Sequence, residues 1–280
     1  MKGTFDGRSR LRVLASAYAC EPGKGSEPGV GWNWVRCISS FAQVWVLTRS
    51  NNREAIEAAL AREPQPNIHF VYLDLPRWAA FWKRGRRGLH AYYYVWQVLA
   101  YFWGRRLHRQ AVFHLVHHVS LGKYWVPSFL ALLPAPFLWG PVGGGQSTPR
   151  QLWPSLSPRG KVYELLREAA RRVSELDPFL RLTARRSVLA LATTKETEER
   201  LHRLGCRKVF TFGQEALEPE ELSLLGKVPP RHDRSFRIVS IGNLLHLKGY
   251  HLGVRVFRGP AFENRRAHKE SHRISAPASL

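Results

Sequence analysis

Eight short apolar, β-branched runs punctuate this chain, and the intervals between them carry helical spacing, an order that few folds accept. The runs are Leu11–Ala17, Val44–Thr48, Ile68–Leu73, Phe113–His117, Phe137–Trp139, Val188–Thr193, Val209–Phe212 and Phe236–Ile241. The intervals hold helical segments at Gly29–Ser39, Arg53–Ala61, His90–Arg109, Lys161–Arg172 and Glu196–Arg203. Strand and helix in alternation build a parallel sheet, because each helix carries the chain back to the edge where the next strand starts. Runs such as Val44-Trp45-Val46-Leu47 are apolar at every position, so both faces of the sheet need cover. The expected class is α/β: a doubly wound, Rossmann-like parallel sheet with helices on both faces.

With 280 residues, 44% of them hydrophobic, the chain can bury one large α/β domain or two modest ones, since single cores stop growing near ~250–300 residues. No internal repeat is visible. Composition shifts over Leu217–Ser235, first acidic and then rich in proline and basic residues, as in an interdomain linker. The expected organisation is a first domain over residues 1–216, a linker over 217–235, the opening of a second domain over 236–257 and an unstructured tail over 258–280. That second domain offers one strand, the turn Gly242–Gly249 and a helix start at Tyr250–Phe257, after which periodicity stops. One strand and one helix bury too little surface to offset their ordering entropy. A truncated or frameshifted product is the expectation, with a separately encoded half that completes the fold as the alternative.

A formal net charge of +22 gives the chain a positive field that draws nucleic acid, anionic lipid or phosphorylated small molecules. The arginines are spread through the sequence and no nucleic-acid-binding motif is recognisable, so no specific nucleic-acid partner is expected. Cys20, Cys37 and Cys206 are odd in number and form no C-x-x-C pair, which supports neither a disulfide framework nor a zinc site and fits a reducing, cytoplasmic setting. The polar N-terminus lacks the apolar stretch of a signal peptide. The most apolar run, Tyr92–Trp103, is shorter than the ~20 residues of a spanning helix. Trp78, Phe81 and Trp82 lead directly into Lys83, Arg84, Arg86 and Arg87, a pairing that suits an anionic lipid interface as well as a solvated loop.

Four segments carry residue types suited to chemistry. In the turn after the first strand (CEPGKGSEPGVGWNW), Gly23, Gly25, Gly29 and Gly31 let the backbone approach a ligand and Pro28 sits where a helix would start, although a plain βα turn uses the same residues. In FLWGPVGGGQ, a strand runs straight into Gly143, Gly144, Gly145 and Gln146, a side-chain-poor loop at the sheet's carboxyl edge, where open α/β sheets bind ligands. His117 and His118 follow the strand residues FHLV, where an imidazole can bond a sugar hydroxyl or simply pack. In SIGNLLHLKG, Lys248 offers a cation after a glycine turn, or a solvated surface lysine.

The string ACEP-x-x-GSEPGVGW resembles the opening loop of a subgroup of the family-four glycosyltransferases, retaining enzymes of the GT-B type, and WGPVGGG is similar to a second motif of that subgroup. The resemblance runs in the family's order from about Leu11 to Phe257. It implies two Rossmann-like domains facing a cleft, and transfer of a sugar from a nucleotide-sugar donor to a saccharide or lipid-linked acceptor. It implies no cofactor beyond the donor as substrate, and normally no metal. For the residues, it implies that Gly25, Ser26, Glu27, Gly29 and Gly31 lie beside the acceptor and face the donor, together with Gly143, Gly144, Gly145 and Gln146. It places a catalytic histidine at His117, or at His118 if the register slips by one, and the donor diphosphate on Gly242, Asn243 and Lys248. Fixed cations matter there because the leaving group gains negative charge as the glycosidic bond breaks.

The sequence departs from the family at three places. Gln146 stands where the subgroup more often has Glu, and Asn243 where it usually has Arg, which leaves half of the diphosphate clamp. No pair of glutamates matches the spacing of the family's donor-contacting pair. A scaffold that keeps the fold without catalysis fits the same sequence. The expected location is cytoplasmic, peripheral on the inner face of the cell membrane, where Trp78–Arg87 would help it reach a lipid-linked acceptor.

Overall fold

The computed structural model describes residues 10–76, 78, 88–214, 219–227, 238–242 and 248–257. Contacts divide the chain into two units, one of Met1–Ser147 with Arg167–Pro230, the other of Thr148–Leu166 with Arg231–Leu280. The elements in order are β1 (Leu11–Ala17), α1 (Ser26–Ser39), β2 (Ala42–Thr48), α2 (Arg53–Arg62), β3 (Ile68–Tyr72), α3 (Leu89–Ala111), β4 (Leu115–Ser120) and β5 (Phe137–Val142). They continue with α4 (Pro158–Glu175), α5 (Pro178–Arg186), β6 (Ser187–Ala192), α6 (Lys195–Leu204), β7 (Val209–Thr211), α7 (Pro219–Gly226) and α8 (Tyr250–Phe257).

The first unit holds one seven-stranded sheet in the order β3-β2-β1-β4-β5-β6-β7, with every pairing parallel. The fold is α/β and Rossmann-like. From β1 the chain builds outward through β2 and β3, then returns to place β4 on the other side of β1. The crevice at β1 and β4 is therefore the topological switch point.

Both faces of the sheet are covered, as continuously apolar strands require. Alternate residues of β1 serve the two cores: Val13, Ala15 and Ala17 pack with Val35, Ile38 and Ile56 of α1 and α2, whereas Leu14 packs with Trp96 and Ala100 of α3. Complete burial of a side chain such as Val35, Ile38 or Ile56 contributes on the order of 2 kcal/mol. Helix ends follow local chemistry. Asp177 caps α5 by accepting from the Phe179 amide at 2.8 Å, Thr194 caps α6 by accepting from Thr197, and Gly205 ends α6 at φ +106°.

Seven of the eight expected strands form, each within three residues of its expected bounds. The eighth does not: residues 238–241 are irregular, and 236–237 lie outside the described residues. Ile238, Val239 and Ile241 are exposed there. A strand needs a neighbour to bond its amides and carbonyls, and no sheet forms among the described residues of the second unit. The segment expected as a linker contains α7. The helix start expected at Tyr250–Phe257 is present as α8.

Candidate functional site

The turn after β1 doubles back over α1. The Glu21 amide donates to the Pro28 carbonyl at 2.9 Å, and the hydroxyl of Ser120, at the end of β4, accepts from the Ala19 amide and donates to the Ala19 carbonyl. This return path explains two of the motif's glycines. A Cβ at Gly29 would sit 1.9 Å from the Lys24 carbonyl oxygen, and one at Gly31 would sit 2.0 Å from that of Ala19. Both glycines are buried packing positions. Gly23 and Gly25 are open, with nothing within 4 Å of an added Cβ, and they border a groove of about 490 Å3 walled by Trp32, Asn33, Arg36 and Arg62. Ser26 is exposed, with φ +62°.

Glu27 spans the switch point from the first turn of α1. Its Oε1 accepts from the Gly122 amide, in the loop after β4, at 2.6 Å. Burial raises the carboxyl's proton affinity above the ordinary range, against the pull of the Gly122 amide and the Lys123 charge. Beside it, Lys123 Nζ donates to His90 Nε2, and burial together with the Lys123 charge lowers the imidazole's pKa.

β4 runs on to Ser120, so His117 and His118 lie inside the strand rather than at its end. They are 2% and 1% exposed. His117 Nε2 lies 2.7 Å from the Gly140 carbonyl, which can only accept, so the ring is the Nε2–H tautomer and donates. Trp34 closes over it edge-on, with ring centroids 5.4 Å apart and the indole N–H held by the Gln214 carbonyl. His118 Nε2 meets the Tyr93 hydroxyl at 3.3 Å. Burial pushes both imidazoles down to about 4, so both are neutral at neutral pH.

The second glycine loop is joined to its neighbours on both sides. The Gly143 amide donates to the Gly122 carbonyl at 2.6 Å, and the Tyr124 amide to the Gly143 carbonyl at 3.2 Å. A Cβ on Gly143 would meet Thr193 Oγ1 at 2.5 Å, one on Gly144 the Trp125 ring at 2.4 Å, and one on Gly145 Thr197 Cα at 2.6 Å. These glycines let the loop lie flat on Trp125 and on the first turn of α6. Gln146 is exposed, its carbonyl accepting from Arg167 at 3.2 Å.

Beneath the loop is a charged network that the sequence reading missed. Arg200, buried on α6, donates from Nε to the Gly145 carbonyl at 3.0 Å, from Nη1 to Glu175 at 2.9 Å and Tyr124 at 2.8 Å, and from Nη2 to Glu168 at 2.9 Å. Burial opposes its charge, but the two carboxylates outweigh that and raise its pKa further. Glu168 is correspondingly lowered, although its own burial acts the other way. Arg171 adds a contact to Glu168 at 3.3 Å and lies over Trp125 at 5.3 Å. The available signal was the spacing of Glu168 and Glu175, two helical turns apart on one face of α4.

In the second unit, a Cβ on Gly242 would lie 2.5 Å from the Tyr250 hydroxyl and 3.9 Å from Lys248 Cε, so Gly242 and Lys248 are neighbours there. Lys248 is exposed. Asn243 lies outside the described residues, as do Phe81–Arg87 of the aromatic and basic segment. Among the described residues, no group of three or more His, Cys, Asp or Glu side chains is arranged to hold a metal, and no helix is long and apolar enough to cross a membrane. The three cysteines are free thiols.

No protein-family model matches this chain, and no curated protein matches it.

Proposed function

We propose that this chain carries the acceptor-side domain of a retaining, GT-B-type glycosyltransferase of family four, together with the opening of the donor-side domain. On this reading it acts at the inner face of the cell membrane, transferring a sugar from a nucleotide sugar to a saccharide or lipid-linked acceptor. One observation carries the proposal. The two segments after β1 and β5 that bear the resemblance are joined through the loop after β4, by the Glu27–Gly122 and Gly122–Gly143 hydrogen bonds, along the carboxyl edge of a parallel sheet at its switch point. Ligands of open α/β sheets bind in that crevice.

The roles follow from chemistry. Glu27 is a half-buried carboxylate of raised proton affinity beside Lys123, suited to orienting a hydroxyl acceptor. Gly23 and Gly25 leave backbone open to a hydroxyl-rich ligand. Lys248 would stabilise the diphosphate as its charge grows. Calorimetry with uridine, guanosine and adenosine diphosphate sugars tests the proposal. Saturable binding of one nucleotide sugar, weakened in Lys248→Ala, supports it; no binding of any of them counts against a donor site.

A second reading, an acceptor-binding scaffold without catalysis, is favoured by the burial of both histidines and the commitment of His117 Nε2 to Gly140. Binding of an acceptor saccharide with no donor binding and no turnover would select it.

A further inference from the structure

The outward face of α3 has an unusual composition for a helix in water. Its inner face buries Tyr93, Trp96, Ala100 and Gly104 against the sheet and the Phe129–Leu132 turn. Its outer face shows Val95 at 43% exposure, Val98 at 36% and Phe102 at 60%, spaced at helical intervals, with Trp103 at 36% alongside. The same face continues into Arg105, Arg106 and Arg109, all exposed, and Arg106 lies 5.5 Å from the centroid of the Trp103 ring. Over its whole length of 23 residues α3 contains no Asp or Glu. An exposed helix ordinarily mixes both signs of charge; this one presents apolar turns and then only cations.

We propose that this face of α3 docks on an anionic lipid surface, with Val95, Val98 and Phe102 at the boundary of headgroups and acyl chains and Arg105, Arg106 and Arg109 on lipid phosphates. Charge selects this occupant. A bilayer of acidic lipid supplies an apolar layer and an anionic layer side by side, and an aromatic ring with a guanidinium over it suits the boundary between them. A second copy of the chain would set the three arginines against apolar turns in one orientation and against other arginines in the opposite one, unpaired in both. Although 23 residues long, α3 is not apolar enough to span a bilayer and its inner face is packed on the sheet, so the contact lies along the surface. The surface gives a place to the membrane contact in the proposed function and rests on that part of it alone; it is tested without donor or acceptor, so it and the sugar-transfer reading fail separately.

The test is cosedimentation of the purified chain with vesicles of phosphatidylcholine alone or mixed with phosphatidylglycerol. We expect binding to the mixed vesicles only, a fall of about a hundredfold in Arg105→Gln/Arg106→Gln/Arg109→Gln, and loss of binding in Val95→Asp/Phe102→Asp. Equal binding to neutral vesicles, or undiminished binding by both variants, would overturn the proposal. So would a concentration-dependent dimer that the same variants abolish, which would make the face an interface between copies. A labelled chain guards against misfolded variants. An environment-sensitive fluorophore on Val98→Cys, in a Cys37→Ser background, should shift to the blue with acidic vesicles. Sedimentation with vesicles but no shift would place the contact elsewhere.

Discussion

Arg200 Nε donates to the Gly145 carbonyl at 3.0 Å, and its terminal nitrogens bond Glu168 and Glu175, so one side chain of α6 holds both the glycine-rich loop and α4. Removing it strands two carboxylates and a carbonyl. Arg200→Met should cost about 2–4 kcal/mol in urea denaturation, below the upper range for buried pairs because both carboxylates keep some solvent contact. Arg200→Lys should recover only part of this, since an ammonium cannot span the same acceptors. Equal stability of Arg200→Met and wild type would show that the network contributes nothing.

The two histidines of β4 make stability depend on pH. Their folded-state pKa values are pushed down to about 4, against about 6.5 for an unfolded histidine. Between those values the unfolded chain binds protons that the folded chain refuses. Their contribution is complete above about pH 6.5 and is lost as pH falls toward 4, by up to roughly 3 kcal/mol per imidazole. His117→Gln keeps an N–H for Gly140 and cannot titrate. Its melting temperature should therefore fall less steeply than that of wild type between pH 6.5 and 4, and parallel curves would argue against a buried neutral imidazole.

Glycines of the first motif should separate into two kinds. Gly31→Ala drives a methyl to 2.0 Å from the Ala19 carbonyl and should cost at least about 2 kcal/mol. Gly25, with φ −73° and open space around it, should accept alanine within about 0.5 kcal/mol. A ligand-binding defect in Gly25→Ala at unchanged stability would mark that backbone as part of the site.

The bond from the Gly122 amide to Glu27 joins α1 to the loop after β4. Glu27→Ala leaves that amide without its acceptor and should cost about 1–2 kcal/mol, whereas Glu27→Gln, which keeps an oxygen, should cost less. Hydrogen exchange at the Gly122 amide is the direct readout, and it should accelerate in Glu27→Ala alone.

Much of the fold was legible because it depends on local pattern. The apolar runs at Leu11–Ala17 and Ile68–Leu73 and the helical spacing of Arg53–Ala61 each report whether residues at period two, at period 3.6 or at every position meet a core. The helix at Pro178–Arg186 escaped notice despite its Asp177-Pro178 start, because it is short and half its positions are polar. The candidate loops were visible as glycine clusters, but the purpose of each glycine was not. Gly29 and Gly25 look alike in sequence, and only the return of the chain over α1 makes one a packing contact and the other an open turn.

By itself the sequence determined an α/β chain with a parallel sheet covered on both faces, since alternation and apolar periodicity are properties of neighbouring residues. Tertiary structure decided what lies on each surface. Helix α4 turns Glu168, Arg171 and Glu175 toward the Arg200 network and leaves Val173 exposed, the reverse of what hydrophobicity alone suggests. Such a choice depends on a partner more than twenty positions away in the chain, and on whether burying a charge is offset by the charges it meets. The same holds for His117, whose role follows from the Gly140 carbonyl that β5 lays beside it rather than from any residue adjacent in sequence.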